Sequence, residues 1–205
     1  SEPDAESLFV EYAETLQERR EARKQSLDER VEMAKNIART KENCLIWCDY
    51  NNESTALHKA IRESVEVKGS DTPEHKEKAM MGFASGDVKY LVTKPSICGF
   101  GMNWQNCHDM IFCGLSDSYE QFYQAIRRCY RFGQKHEVNV HVIISEKEMN
   151  VLNNIKRKQA DHERMSTEMV KVMSESAKVE LFGQQRKNTD YIPEIAMEVP
   201  SWFPF

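Results

Sequence analysis

Residues 44–48 read CLIWC, residues 90–93 read YLVT and residues 110–113 read MIFC. These runs are short and apolar almost throughout, without the polar alternation of a strand that has one face in water. Such runs suit strands buried on both faces, as in a parallel sheet. Two more complete the set, at Val65–Val67 and at 138–144 (VNVHVII). Helical stretches lie between them, near Ser54–Ser64, Pro73–Ser85 and Tyr119–Arg131, the middle one opened by Pro73 behind a Thr72 cap. Alternation of this kind predicts an α/β domain with about five strands between residues 43 and 145, joined by right-handed crossovers.

On the N-terminal side, residues 4–39 are polar and helical in character and read as two helices. Ser26-Leu27-Asp28-Glu29 has the form of a capping box, and Leu27, Val31, Ala34 and Ile37 recur at helical spacing to give one apolar stripe. On the C-terminal side, Glu146 to about Lys178 reads as one or two long helices, and the tail carries Trp202, Phe203 and Phe205. The expected division is a helical extension over 1–42, the α/β domain over 43–145, and C-terminal helices with an aromatic tail over 146–205.

Composition narrows the function classes. Of 205 residues, 40% are hydrophobic and 30% charged, which excludes a disordered chain, and no run approaches the ~20 apolar residues of a membrane span. The start, SEPDAESLF, is acidic and polar rather than signal-like, so a cytoplasmic protein is expected. The six cysteines form no CxxC pair, and several lie inside apolar runs, so they read as reduced, small hydrophobes rather than a zinc site or a disulfide framework. No metal site is expected. His108, His136 and His141 suggest no role. Net charge is −5, against a non-specific nucleic-acid coat, yet residues 121–160 hold eight Lys/Arg against three Glu. That local excess serves a groove along a phosphate backbone as well as it serves a solvated helix face.

The segment at 124–134, QAIRRCYRFGQ, carries the most chemistry. On a continuous helix, Gln124, Arg128 and Arg131 fall on one side and Phe122, Ile126 and Cys129 on the other, with Gly133 as the stop. Two guanidiniums aimed one way need an anion between them, and arginine's planar fork suits phosphate. An arginine-rich surface helix with carboxylate partners fits the same spacing.

The order of segments resembles the second RecA-like domain of superfamily 2 helicases, nearest to the Swi/Snf-type DNA translocases. Residues 124–134 fit every fixed position of that family's sixth motif, QAxxRxxRxGQ. Leu45-Ile46-Trp47-Cys48 resembles its LIFS strand; Gly69-Ser70 with Lys76 and Phe83 resembles GST…R…F, with lysine where arginine is usual. Thr93-Lys94 followed by Gly101-Met102-Asn103-Trp104 resembles TKAGGLGLNL, although Pro95-Ser96-Ile97-Cys98-Gly99 adds about two residues to that loop. The helix at 154–164 is of the family's type, and phage-encoded relatives of the Swi/Snf group are a fitting home for the variant.

The resemblance implies a three-layer RecA-like fold and an ATP-driven motor whose nucleotide lies between two lobes. Arg131 and Arg128 are then arginine fingers on the γ-phosphate, Gln124 senses nucleotide, and Gly101 and Asn103 approach ribose or the finger helix. The fingers are expected to face the C-terminal rim of the sheet. Nucleic acid is expected at Thr93, Lys94, Tyr50 and Asn51, as sequence-tolerant phosphate contacts with DNA, the sixth motif favouring duplex DNA over RNA. Tyr50 and Asn51 also fit as caps of the next helix, and Thr93 as a strand-end residue bonding its own turn. Neither GxxxxGK[ST] nor a DExH-type segment occurs; Asp28-Glu29-Arg30 lies at a helix start. ATP and Mg²⁺ are therefore expected to be held mainly by a first lobe preceding residue 1, and the chain alone is expected to be inactive. A RecA-like binding module that lost its motor, or another α/β protein, are the alternatives.

Overall fold

A computed structural model describes residues 15–97 and 102–178. The elements run α1 (Leu16–Gln25), α2 (Leu27–Arg39), β1 (Cys44–Cys48), α3 (Asn51–Ala60), β2 (Ser64–Glu66), α4 (Pro73–Ser85), β3 (Tyr90–Thr93), β4 (Asp109–Cys113), α5 (Tyr119–Ile126) and β5 (Asn139–Ile143), then a 3₁₀ turn (Glu146–Glu148) and α6 (Met149–Lys178). The strands form one parallel sheet in the order β2-β3-β1-β4-β5, with Leu45 opposite both Leu91 and Met110. The α/β architecture predicted from the runs is the one observed.

The period of two along each strand sends neighbours to opposite faces, and in β1, β3 and β4 both faces are dry, whereas the edge strands β2 and β5 are only partly buried. Leu45, Trp47, Leu91, Met110 and Phe112 meet Ala79, Met80 and Phe83 of α4 and Ala125 of α5 on one face. Cys44, Ile46, Cys48, Val92, Ile111 and Cys113 meet Val31, Ala34 and Ala38 of α2 and Leu57 of α3 on the other. The stripe read along α2 is therefore a core face, and Ala34 and Ala38 allow the helix to lie close.

Local boundaries differ from expectation where side chains take over the backbone. Ser26 makes no cap bond to α2; its hydroxyl donates to Ala22 O at 2.8 Å and accepts from Arg30 Nε at 3.1 Å. The capping box forms at Thr15 and Glu18 instead, opening α1. Helix α3 begins and ends earlier than the predicted 54–64 because Glu53 accepts from the N–H groups of Asp49 and Tyr50, each at 3.1 Å, and starts the turn there. Helix α5 stops at Ile126, five residues short of Arg131.

Contacts divide the chain into residues 1–160 and 161–205. The described part of the second unit is the later portion of α6, where Arg164 pairs with Asp161 at 3.1 Å and Met165, Met169, Val172 and Met173 are exposed. No described helix is long and apolar enough to cross a membrane. The tail aromatics Trp202, Phe203 and Phe205 lie outside the described residues.

Candidate functional site

The segment 124–134 is a helix end followed by a pinned turn. Gln124 is on α5 and exposed, while Arg128, half-buried, and Arg131, exposed, follow the helix. The single-helix geometry read from the sequence is thus corrected, and so is the helix stop at Gly133, since the C-cap is Arg127. The cause is tertiary. The carbonyl of Arg128 accepts from the N–H of Trp104 at 2.9 Å. Gln134 Nε2 lies within bonding distance of the carbonyls of Gln105 (3.1 Å), Cys129 (3.2 Å) and Cys107 (3.3 Å). Gln105 in turn donates to Phe132 O. Gly133 closes the turn at φ +93°, a left-handed conformation that glycine adopts without steric cost.

Trp104 anchors this arrangement: fully buried, it donates from Nε1 to Met80 O at 3.3 Å and meets Phe83 edge-on at 5.5 Å. Asn103, exposed, is next to it in sequence, so the structure brings Asn103 beside the arginine turn. Among the described residues Arg131 has no carboxylate partner, and Phe132 beside it is fully exposed. Gly101 lies outside the described residues.

The placement of this turn corrects a second expectation. Residues 104–108 lead into the N-terminal end of β4, and α5 runs back from the C-terminal end of β4 toward the start of β5. The arginine turn therefore sits at the N-terminal edge of the sheet, not at its C-terminal rim. A crossover helix must return the chain to the start of the next parallel strand, which carries the end of the motif with it.

The other candidates gather at the C-terminal rim. Thr93 ends β3 opposite Trp47, and Tyr50 and Asn51 follow β1, so adjacent strand ends bring the four together with Lys94. Thr93 is buried and its hydroxyl donates to Val67 O at 3.2 Å; Lys94 and Tyr50 are half-buried and Asn51 is exposed. Tyr50 is the N-cap residue of α3 and Asn51 its first helical residue. Farther along the sheet, Lys76 Nζ donates to Gly69 O at 2.6 Å, joining two pieces of one sequence motif.

Sequence reading missed a charge cluster at this rim. Arg23, 5% exposed, donates from Nε to Glu148 at 2.6 Å, from Nη1 to Asp49 at 2.9 Å, and from Nη2 to Leu115 O. Its guanidinium lies 5.0 Å from the Tyr50 ring centroid. Burial works against that charge, but Asp49, Glu148 and Glu53 more than offset it and hold the pKa above the ordinary guanidinium range. Arg30, 3% exposed, pairs with Glu53 at 2.9 Å and donates to Cys113 O at 3.1 Å and Arg23 O at 2.8 Å. Gly114, at φ +99°, lets both in: a Cβ there would come within 3.3 Å of each guanidinium. In the sequence these arginines look like any charge on a polar helix.

Cys44, Cys48, Cys107, Cys113 and Cys129 are free thiols in the core; Cys98 is outside the described residues. Burial pushes the Cys113 thiol up to about 12, with Arg30 offsetting only part of it, and burial raises Cys48 likewise. Among the described residues no cluster of three or more His, Cys, Asp or Glu side chains is placed to hold a metal ion.

Residues 24–133 match the family model described as "Helicase conserved C-terminal domain", which is more than half of the chain. No match is found among curated protein sequences. Solved structures share the fold. The C-terminal part of the Fun30 ATPase domain has a TM-score of 0.54 at 20% identity, covering 62% of this chain and 44% of that one. The C-terminal domain of the DEAD-box protein Dbp5 has a TM-score of 0.57 at 15% identity, covering 65% and 80%. A variant Dbp5 of S. cerevisiae, solved bound to a Gle1 variant and IP6, has a TM-score of 0.58 at 15% identity, covering 66% and 37%. The chain thus spans less than half of two of these three.

Proposed function

The chain belongs to the helicase conserved C-terminal domain family, and from that membership we propose that it is the second motor lobe of an ATP-driven DNA helicase or translocase of superfamily 2, Swi/Snf-like in its sixth motif. The observation that carries the reading is the arginine turn. A buried tryptophan and a glutamine side chain hold its backbone, while Arg131 stays exposed without a carboxylate partner among the described residues. A rigid turn that offers an uncompensated guanidinium to solvent suits an anion on a neighbouring body.

In this reading a first lobe binds ATP and magnesium, and the N-terminal edge of this sheet closes on it. Water attacks the γ-phosphorus as the bond to the β–γ bridging oxygen breaks, and that oxygen keeps the electron pair. Arg131 and Arg128 counter the charge that builds on the transferred group, a role worth about 10³–10⁵ in rate where it has been dissected. Gln124, one turn before Arg128, senses the nucleotide, and Asn103 and Gly101 approach the ribose. DNA runs along the opposite edge. Thr93 is occupied with Val67, so Lys94, Tyr50 and Asn51 carry the phosphate contacts and Thr93 sets the strand end that places Lys94. Contacts of this kind are sequence-tolerant.

The test is Arg131→Ala in the protein that carries both lobes. Phosphate release stimulated by duplex DNA should collapse while ATP binding stays near wild type, because a finger acts mainly in the transition state. The chain alone, given ATP and DNA, should release no more phosphate than buffer does. Turnover by the chain alone that disappears with Arg131→Ala would overturn the division of labour.

A further inference from the structure

The sheet changes direction of winding between β1, which leads through α3 to β2, and β4, which leads through α5 to β5 on the other side. In open α/β sheets the crevice at the C-terminal ends of two such strands is the usual place for a ligand. Here the crevice is nearly closed. The cavity lined by Trp47, Asp49, Pro95, Phe112, Ser116 and Gln121 has about 10 Å³, room for one water and not for a base. Two residues of its lining, Asp49 and Leu115, are held from α1. Arg23 reaches across the crevice and binds the residue after β1 (Asp49), the second residue after β4 (Leu115) and the 3₁₀ turn after β5 (Glu148), with Tyr50 against its plane. Arg19, one turn earlier on α1, pairs with Asp117, just before the Ser118 cap of α5.

Stability alone is a poor account of such a network, because desolvating charges costs about as much as pairing them returns. The arrangement is better suited to holding geometry. Each nitrogen of one planar fork is used on a different strand end, so displacing any of the three ends breaks a charge-assisted bond. We propose that Arg23 is a positioning residue for nucleic acid: it fixes the 49–51 segment against the ends of β4 and β5, and so sets where Tyr50 and Asn51 meet the phosphate backbone. The proposal rests on reading the C-terminal rim as the nucleic-acid track. It assigns a task to α1 that lies outside the helicase motifs, and it acts at the edge of the sheet away from the arginine turn.

That separation supplies the test. Arg23→Lys keeps the charge but replaces a three-armed planar fork with a point charge on a flexible stem, which cannot serve three fixed acceptors equally. In the two-lobed protein, the duplex DNA concentration that half-saturates phosphate release should rise about tenfold, the change expected when about one hydrogen bond to the backbone is lost. The maximal rate and the KM for ATP should stay within about twofold, because the arginine turn is untouched. Arg20→Lys, on the exposed side of the same helix, is the control and should change nothing. A lower maximal rate with unchanged half-saturation would show that Arg23 only keeps the lobe folded, and would overturn the positioning role. A wild-type protein whose turnover ignores DNA would remove the track itself, and that failure shows before any variant is made.

Discussion

Arg23 and Arg30 are buried at the C-terminal rim, where carboxylates and backbone carbonyls surround them; Arg131 stands exposed at the N-terminal edge, with Arg128 half-buried beside it. Both sets come from helices or helix ends. What separates them is what the fold places opposite. At the rim, Asp49, Glu53 and Glu148 converge from three elements. At the edge, Trp104, Gln105 and Gln134 bind the backbone of the turn, and among the described residues Arg131 has no acid opposite it. One set is committed to holding strand ends, and in the other Arg131 is exposed to an outside anion. Arginine content reads alike in both cases; only the partners distinguish structure from chemistry.

The sharpest way to break this contrast is at Arg131. Replacing it with alanine in the two-lobed protein should cost about 10³-fold or more in turnover. Stability should change by no more than about 0.5 kcal/mol, as for surface substitutions in general. A loss of stability that matches the loss of rate would put Arg131 in the same class as Arg23. The opposite pattern is expected at Arg30. Arg30→Met leaves Glu53, 1% exposed, as a buried carboxylate without its cation, which costs about 3–5 kcal/mol in denaturant unfolding. Between the two lies Gln134. Gln134→Ala strips a donor from the carbonyls of Gln105, Cys107 and Cys129 and should cost about 1–3 kcal/mol. It should also lower turnover while DNA half-saturation holds, because it loosens the arginine turn and leaves the rim intact.

The strands were legible because burial on both faces leaves a plain signal: CLIWC, YLVT and MIFC have no polar face to disguise them. The stripe of α2 was legible for the same reason. The site was legible only as residue identity. Gln124, Arg128 and Arg131 could be named, but the helix that was to align them stops at Ile126, because Trp104 and Gln134 claim its next carbonyls from outside. The edge on which the turn sits follows from the direction of a crossover helix, which spacing within a motif does not encode. Arg23 was out of reach altogether. Its partners lie 26, 92 and 125 residues away, and nothing in a polar helix marks one arginine for burial.

The smallest expected effect sharpens the account of Arg30, through Cys113. The thiol lies beside that guanidinium, with Sγ 3.6 Å from Nη1. If Arg30 had charge to spare, it would favour the thiolate and depress the pKa. Instead burial dominates, and Glu53 takes up the charge: Cys113 is held up to about 12 against about 8.5 in an unfolded chain. A group whose folded pKa is raised contributes stability that is complete below its unfolded pKa and fades as pH climbs toward the folded one. Urea unfolding of the wild type should therefore lose about 1.4 kcal/mol per pH unit for this thiol between about pH 9 and 12. Other groups titrate there too, so the comparison is with Cys113→Ala, whose stability should fall less steeply by one such increment. If the wild type falls less steeply than the variant, the thiolate is favoured inside the fold. Arg30 would then hold uncommitted charge, as Arg131 does, and the distinction between the two arginine sets would be lost.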